Sequence, residues 1–235
     1  MNCIRPAPLL PAGMRRAAML LACGMLLLSS SGCQIIIGLL LMLQGPPTIE
    51  ADFKDHTKKN MAEKGKKVIV LCTAPEKAKG DYASLEVDLI TEVTRRMRGE
   101  GIQVVDEHKT ATWLDDRGGQ VDEDAIADLC RKFKGDYVIL FEIDKFSTQE
   151  ENSPWLHRGR TECKVLVLVP GKKTKEIKRP PMKTIYTKEF SSVYPVHQPV
   201  SAEQRSIIAF RKEYISRVSD ELARLFYDHR PGEDF

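Results

Sequence analysis

Apolar residues run through this chain in two rhythms, and the clearest run stands near the middle. Tyr137-Val138-Ile139-Leu140-Phe141 is unbroken, follows the turn formers Gly135-Asp136, and continues through Glu142-Ile143-Asp144 to Phe146. A short continuous run of β-branched and aromatic residues predicts a strand covered on both faces, in the middle of a sheet. Residues 68–72 form a shorter run of the same kind after the turn Gly65-Lys66-Lys67. From Tyr82 to Arg98 the period becomes helical, with Leu85, Leu89, Val93 and Met97 on one face, Ile90 beside them, and Gly99 and Gly101 as the stop. Residues 102–105 predict a second strand, so that strand, helix and strand make a right-handed parallel crossover. Residues 110–116 predict a helical turn. Asp122-Glu123-Asp124 then opens a helix carrying Ile126, Leu129, Cys130 and Phe133 at helical spacing, and acids suit that end through capping and the helix dipole.

The second half changes character. Residues 148–158 are polar with Pro154 and predict a loop, with Trp155 either as a lid over the core, the favoured reading, or as an exposed contact. Residues 160–169 alternate and then become wholly apolar from Val165 to Val169, while residues 184–194 alternate throughout. They predict antiparallel neighbours joined by a long hairpin loop over residues 170–183. That loop carries Lys172, Lys173, Lys175, Lys178, Arg179 and Lys183 against the single acid Glu176. Two readings fit it: a solvated hairpin tip, or an electrostatic contact with a polyanion or lipid headgroups. Ser201-Ala202-Glu203-Gln204 has the form of a capping box. It predicts a helix to about Tyr227 whose broad apolar face includes Ile208, Phe210, Tyr214, Val218, Leu222 and Phe226. The fold class is α/β with a mixed sheet, in the order β-α-β-α-β-β-β-α, as a two- or three-layer sandwich.

The N-terminus has a different purpose. Arg15 and Arg16 precede the apolar run 17–28, and Ser29-Ser30-Ser31-Gly32-Cys33 follows. A charged start, a short apolar centre and small residues at the end predict a secretory signal. Residues 35–43 are apolar again. An uncleaved anchor over 17–43 is the other reading, reaching roughly 40 Å against a hydrocarbon core of about 30 Å. Serines, glycines and Gln34 interrupt it. Both readings place Arg15 and Arg16 inside and everything after Pro47 outside the cytoplasm. The division expected is a signal over 1–32, a lipidated N-terminus with apolar segment and polar linker over 33–66, and an extracytoplasmic domain over 67–235. The linker carries six lysines among acids from Lys54 to Lys67.

Charge and chemistry narrow the function. The chain holds 36 Lys and Arg against 33 Asp and Glu. Arg5, Arg15 and Arg16 lie in the signal, which has no acid, so the remainder is formally neutral. A neutral body argues against nucleic acid as a partner, since phosphate binding needs a basic face. Cys72, Cys130 and Cys163 remain after the signal and Cys33, and their places on apolar faces predict buried thiols, with one disulfide as the alternative. The five histidines have no metal spacing. Asp115, Asp116 and the 122–124 acids do not have the spacing of a calcium loop. No phosphate-cradling loop, nucleophile elbow or zinc helix is present. No catalytic residue, cofactor or metal is therefore assigned.

Ser31-Gly32-Cys33 resembles the lipobox of bacterial lipoproteins, in which the Cys is diacylated and becomes the new N-terminus; Ser30 stands where that family usually has Leu. With the element order, and with Gly135-Asp136-Tyr137-Val138-Ile139 similar to an Ala-Asp-Tyr-Val segment, the chain resembles bacterial envelope lipoproteins of the CsgG, PelC, LpoB and TolB N-terminal type over about residues 67–227. The chain has no long amphipathic strand pair of the kind that makes a CsgG-type barrel. The resemblance implies lipidation (diacylglycerol and palmitate) at Cys33 and a periplasm-facing module, anchored in the inner or the outer membrane, that binds or scaffolds envelope proteins or polymers, with a homo-oligomer as one form. A ring subunit for secretion or assembly, and an uncharacterised periplasmic enzyme, are the other readings.

Overall fold

Tyr137–Ser147 (β2) is an inner strand, and its first five residues are all buried. The computed structural model describes residues 47–80, 82–117, 121–171 and 181–231. Cys33 and residues 172–180 lie outside them, as does the whole N-terminal apolar segment. The chain divides into two units, Ile49–His229 and a second made of Met1–Thr48 with Arg230–Phe235. Only residues 47, 48, 230 and 231 of the second unit are described.

In chain order the first unit contains α1 (Asp52–Thr57), β1 (Val68–Thr73), α2 (Glu76–Lys79), α3 (Leu85–Gly99), α4 (Glu107–Asp115) and α5 (Glu123–Phe133). After β2 come β3 (Leu156–His157), β4 (Gly159–Pro170), β5 (Met182–Tyr194), β6 (Val200–Ser201) and α6 (Ile207–Ala223). The main sheet runs β1-β2-β4-β5. β1 is parallel to β2, with Val70 beside Ile139. The other two pairings are antiparallel, with Ile139 beside Val167 and Val165 beside Lys188. This is the mixed α/β sheet that the hydrophobic pattern predicts.

The period of two along each strand divides the core into two clusters. Val68, Val70, Ile139, Phe141, Val165 and Val167 face α3, α6 and the buried Phe53 of α1. Ile69, Leu71, Val138 and Leu140 face Trp113 of α4 and Ile126 and Leu129 of α5. Each such buried aliphatic contributes about 1.5–3 kcal/mol through removal from water. The β1–β2 half is thus a three-layer sandwich. Along β4 and β5 the second face becomes polar, with Glu162, Thr187, Glu189 and Ser191 exposed, and there only one helical layer covers the sheet.

Four expectations are revised. The strand predicted over residues 102–105 is a single parallel bridge between Val68 and Val104. Pairing stops there because Asp106 turns the backbone into α4, its carboxylate accepting from the N–H of His108 at 3.0 Å and of Lys109 at 3.2 Å. α6 begins five residues later than the Ser201 box implies: Ser201 is held in β6 opposite Leu156, and Ser206 caps the helix. Trp155 is not a lid; it is 76% exposed, and the place beneath its loop is taken by His157, 5.4 Å from the Phe210 ring. The segment 48–67, read from its charges as a tether, contributes Ala51, Phe53 and Met61 to the core. Its polar pattern hid three well-spaced anchors.

Candidate cleft at the end of the parallel strands

Parallel strands end where their connecting loops diverge, and the carboxyl end of an open α/β sheet is the usual place for a ligand. Here β1 leads into α2 and the start of α3, and β2 runs on to Phe146 and Ser147. Two neighbouring cavities open at this end. One, of about 180 Å³, lies among Lys79, Gly80, Tyr82, Phe146, Thr148 and Arg211. The other, of about 560 Å³, runs between α3 and α6 and is lined by Asp88, Glu92, Arg95, Ile208, Lys212 and Ile215, among others. Tyr82 and Arg211 belong to both.

Helical spacing explains the lining. Asp88, Glu92 and Arg95 follow one stripe of α3, while Ile208, Arg211, Lys212 and Ile215 follow one of α6. The two helices are tied by Arg96, whose Nη2 donates to the Ser216 carbonyl at 2.9 Å and to its Oγ at 2.7 Å. Beneath the cleft lies a row of rings. Tyr82 is 6.0 Å from Phe146, Phe146 is 5.7 Å from Tyr214, and Tyr214 stacks with Phe210 at 6.4 Å. This row fixes the floor, since aromatic pairs at such spacings prefer defined orientations.

The charges of the cleft are unequally engaged. Tyr82 donates its hydroxyl to Asp88 Oδ2 at 2.5 Å, and Ser84 donates to the same oxygen at 2.8 Å. Burial, and then the Asp88 carboxylate, push the Tyr82 hydroxyl up to about 12. Glu92 accepts from Arg95 at 2.8 Å and from Arg96 at 2.5 Å. Burial raises its carboxyl, but these two guanidinium groups outweigh burial and hold it below its ordinary value. Arg211 lies over the Tyr82 ring, 4.7 Å from the centroid, and its Nε is buried with no hydrogen-bond partner among the described residues. Lys79, at the far wall, is paired with Glu76 and Glu86, each at 3.0 Å.

The Tyr82 proton is held tightly at neutral pH, and both carboxylates of the larger cavity accept hydrogen bonds from neighbouring side chains. The cysteines stand elsewhere: Cys72, Cys130 and Cys163 are buried free thiols, as their apolar positions predict. Burial pushes Cys130 up to about 11 and Cys163 to about 12, away from the thiolate that a nucleophile needs. Among the described residues no group of three His, Cys, Asp or Glu is placed to hold a metal ion. Asp122 caps α5, accepting from the Ala125 N–H at 2.7 Å, the role its position predicts. No described helix is long and apolar enough to cross a membrane.

The sequence-derived candidates do not meet at this cleft. Cys33 and Lys172, Lys173, Lys175, Lys178 and Arg179 lie outside the described residues. Lys183 is exposed on β5 opposite Val169. The base of the hairpin is closed by Pro170 beside Met182 and by the Gly171 N–H donating to the Pro181 carbonyl at 3.1 Å. Sequence reading missed Tyr82 and Arg211 because neither lies in a motif. Only the strand-end rule, applied to the loop after β1, points to Tyr82.

No protein-family model matches the chain, and no curated protein matches it. In structure it is similar to bacterial lipoproteins. Lipoprotein GNA1162 from Neisseria meningitidis aligns at 11% identity and a TM-score of 0.39, over 67% of this chain and 98% of that one. The PelC dodecamer from Paraburkholderia phytofirmans aligns at 7% identity and 0.39, over 77% and 97%. The LpoB C-terminal domain from Salmonella enterica aligns at 10% identity and 0.34, over 60% and 98%. Likenesses this distant say nothing of what the chain binds.

Proposed function

We propose that the chain is a membrane-anchored extracytoplasmic lipoprotein and acts as a non-enzymatic binding or scaffolding module of the cell envelope. The observation that carries this reading is Ser31-Gly32-Cys33, placed after Arg15-Arg16 and the apolar run 17–28. The α/β body supports it, because its strand-end cleft offers a ligand charge, apolar surface and a floor of rings. Lipid on Cys33 anchors the N-terminus, residues 35–43 add apolar contact at the interface, and two such signals together make a stable anchor. The basic loop, Lys172, Lys173, Lys175, Lys178, Arg179 and Lys183, faces polyanion or anionic headgroups in this reading.

The test is Cys33→Ala in the full chain, followed by membrane fractionation and intact mass. The wild type carries the added mass of a diacylglyceryl group and fractionates with membranes, whereas Cys33→Ala lacks that mass and keeps its signal. An identical membrane fraction and no lipid mass in the wild type would overturn the lipoprotein reading in favour of an uncleaved anchor.

A further inference from the structure

We infer that the cleft between α3 and α6 docks a short acidic peptide segment of a partner protein, placing a carboxylate on Arg211 and an apolar side chain on Ile208 and Ile215. The inference deepens the binding-module reading and rests on it, but it does not depend on the anchor.

Charge complementarity comes first. The larger cavity is lined by Arg95, Arg211 and Lys212 against Asp88 and Glu92. Asp88 is occupied by Tyr82 and Ser84, and Glu92 by Arg95 and Arg96. Arg211 and Lys212 form no ion pair among the described residues, and both line the cavity. Many surface lysines are equally free, so Lys212 alone would mean little. Arg211 is different: its guanidinium is stacked on Tyr82, and its Nε is shut off from water without a hydrogen bond. The charge is shared with the two Nη groups, which are not shut off and form no hydrogen bond among the described residues, so an arriving carboxylate can pair with them on a guanidinium already held in place. Planar guanidinium also matches carboxylate geometry closely.

The shape and the walls then select the ligand. Ile208 is 76% exposed on the first turn of α6, and Ile215 forms the buried floor behind it. A cavity of about 560 Å³ lies within the range of roughly 300–1,000 Å³ that takes a drug-sized ligand, which is the size of a few peptide residues. Asp88 and Glu92 on the α3 wall disfavour a densely anionic lipid headgroup. They suit a ligand with a single carboxylate among amide N–H groups, and Thr91 and Ser216 add hydroxyls for its backbone. Tyrosine and arginine beside a partly exposed aliphatic are the residue types that dominate binding energy at peptide and protein contacts.

The experiment uses the full chain in neutral detergent and two fluorescein-labelled peptides, Gly-Leu-Glu-Phe-Asp and its amide twin Gly-Leu-Gln-Phe-Asn, read by anisotropy. The acidic peptide is expected to bind at least tenfold more tightly than the twin, with affinity falling as salt rises. Arg211→Gln removes that tenfold preference and Arg211→Lys restores part of it, while Lys59→Gln changes nothing. Ile208→Ser, at an exposed position that the fold does not need, weakens both peptides. Equal affinity for the two peptides, or an acidic preference that survives Arg211→Gln, overturns the proposal. So does Arg211-dependent binding to phosphatidylglycerol vesicles with no peptide binding, since it assigns the cleft to lipid. Cys33→Ala separates the two readings: an unlipidated chain that still prefers the acidic peptide keeps the docking site whatever becomes of the anchor.

Discussion

At the scale of single residues, Gly159 is the most constrained glycine of the described body. A Cβ there would lie 2.4 Å from the Tyr214 ring, and that ring cannot retreat. Its hydroxyl meets Thr161 Oγ1 at 2.7 Å and donates to the Ser192 carbonyl at 3.2 Å. Gly159→Ala is therefore expected to cost about 1–3 kcal/mol or more as overpacking. Gly135→Ala is expected to cost less, because its close neighbour at 2.7 Å is the far end of Ile69; urea midpoints of the two variants give the order. The buried acids set a second expectation. Cys130 and Cys163 rise from 9.0 to about 11 and about 12, and Tyr82 from 10.0 to about 12. Between the unfolded and folded values the folded chain keeps protons that the unfolded chain has released. Stability is then complete below about pH 9 and declines as pH rises through 11 and 12. A urea midpoint that holds steady from pH 8 to pH 11 would refute this.

At the scale of elements, α1 shows how a charged segment becomes part of a core. Phe53 is fully buried, edge-on to Tyr137 at 5.9 Å and to Tyr186 at 5.6 Å. Asp52 beside it accepts from the Tyr186 hydroxyl and from Lys188 Nζ at 2.6 Å. Phe53→Ala is expected to cost about 3–5 kcal/mol, measured by thermal unfolding of residues 48–235; a loss below about 1 kcal/mol would make α1 an ornament of the surface. The sequence shows β2, β4 and β5 well, because their apolar runs need no tertiary context. It shows α3 and α5 well through their period. It does not show α1, where one aromatic among lysines and acids gives no periodic signal. Nor does it separate Ser201 from Ser206 as helix caps: both have the right chemistry, and only the β3–β6 pairing decides. The cleft is the least legible part. Tyr82 and Arg211 are distant in sequence and meet only because α6 packs against α3.

At the scale of the whole molecule, light scattering on residues 48–235 and on the detergent-extracted full chain separates two forms of the binding module, and a monomer in both is expected if each chain acts alone. A closed oligomer of many subunits in either would transfer weight to the ring-assembly reading. One further property of the body follows from how its ends meet. The Ile49 N–H donates to the His229 carbonyl at 2.7 Å and the His229 N–H to Ile49 at 3.0 Å. Just behind, the Ala51 N–H donates to Asp228 Oδ1 at 2.9 Å, and Lys54 pairs with Asp228 at 2.8 Å. Phe53 comes next, locked among rings. In mechanical terms, a pull on the N-terminal tether enters a series of latches of rising strength: two exposed hydrogen bonds, then a charged clip, then an aromatic plug. The sheet and its cleft are the last to feel the load. Under the anchoring proposed above, a module held by one end to a moving membrane would keep its cleft in shape while its first turn gives way and re-seats.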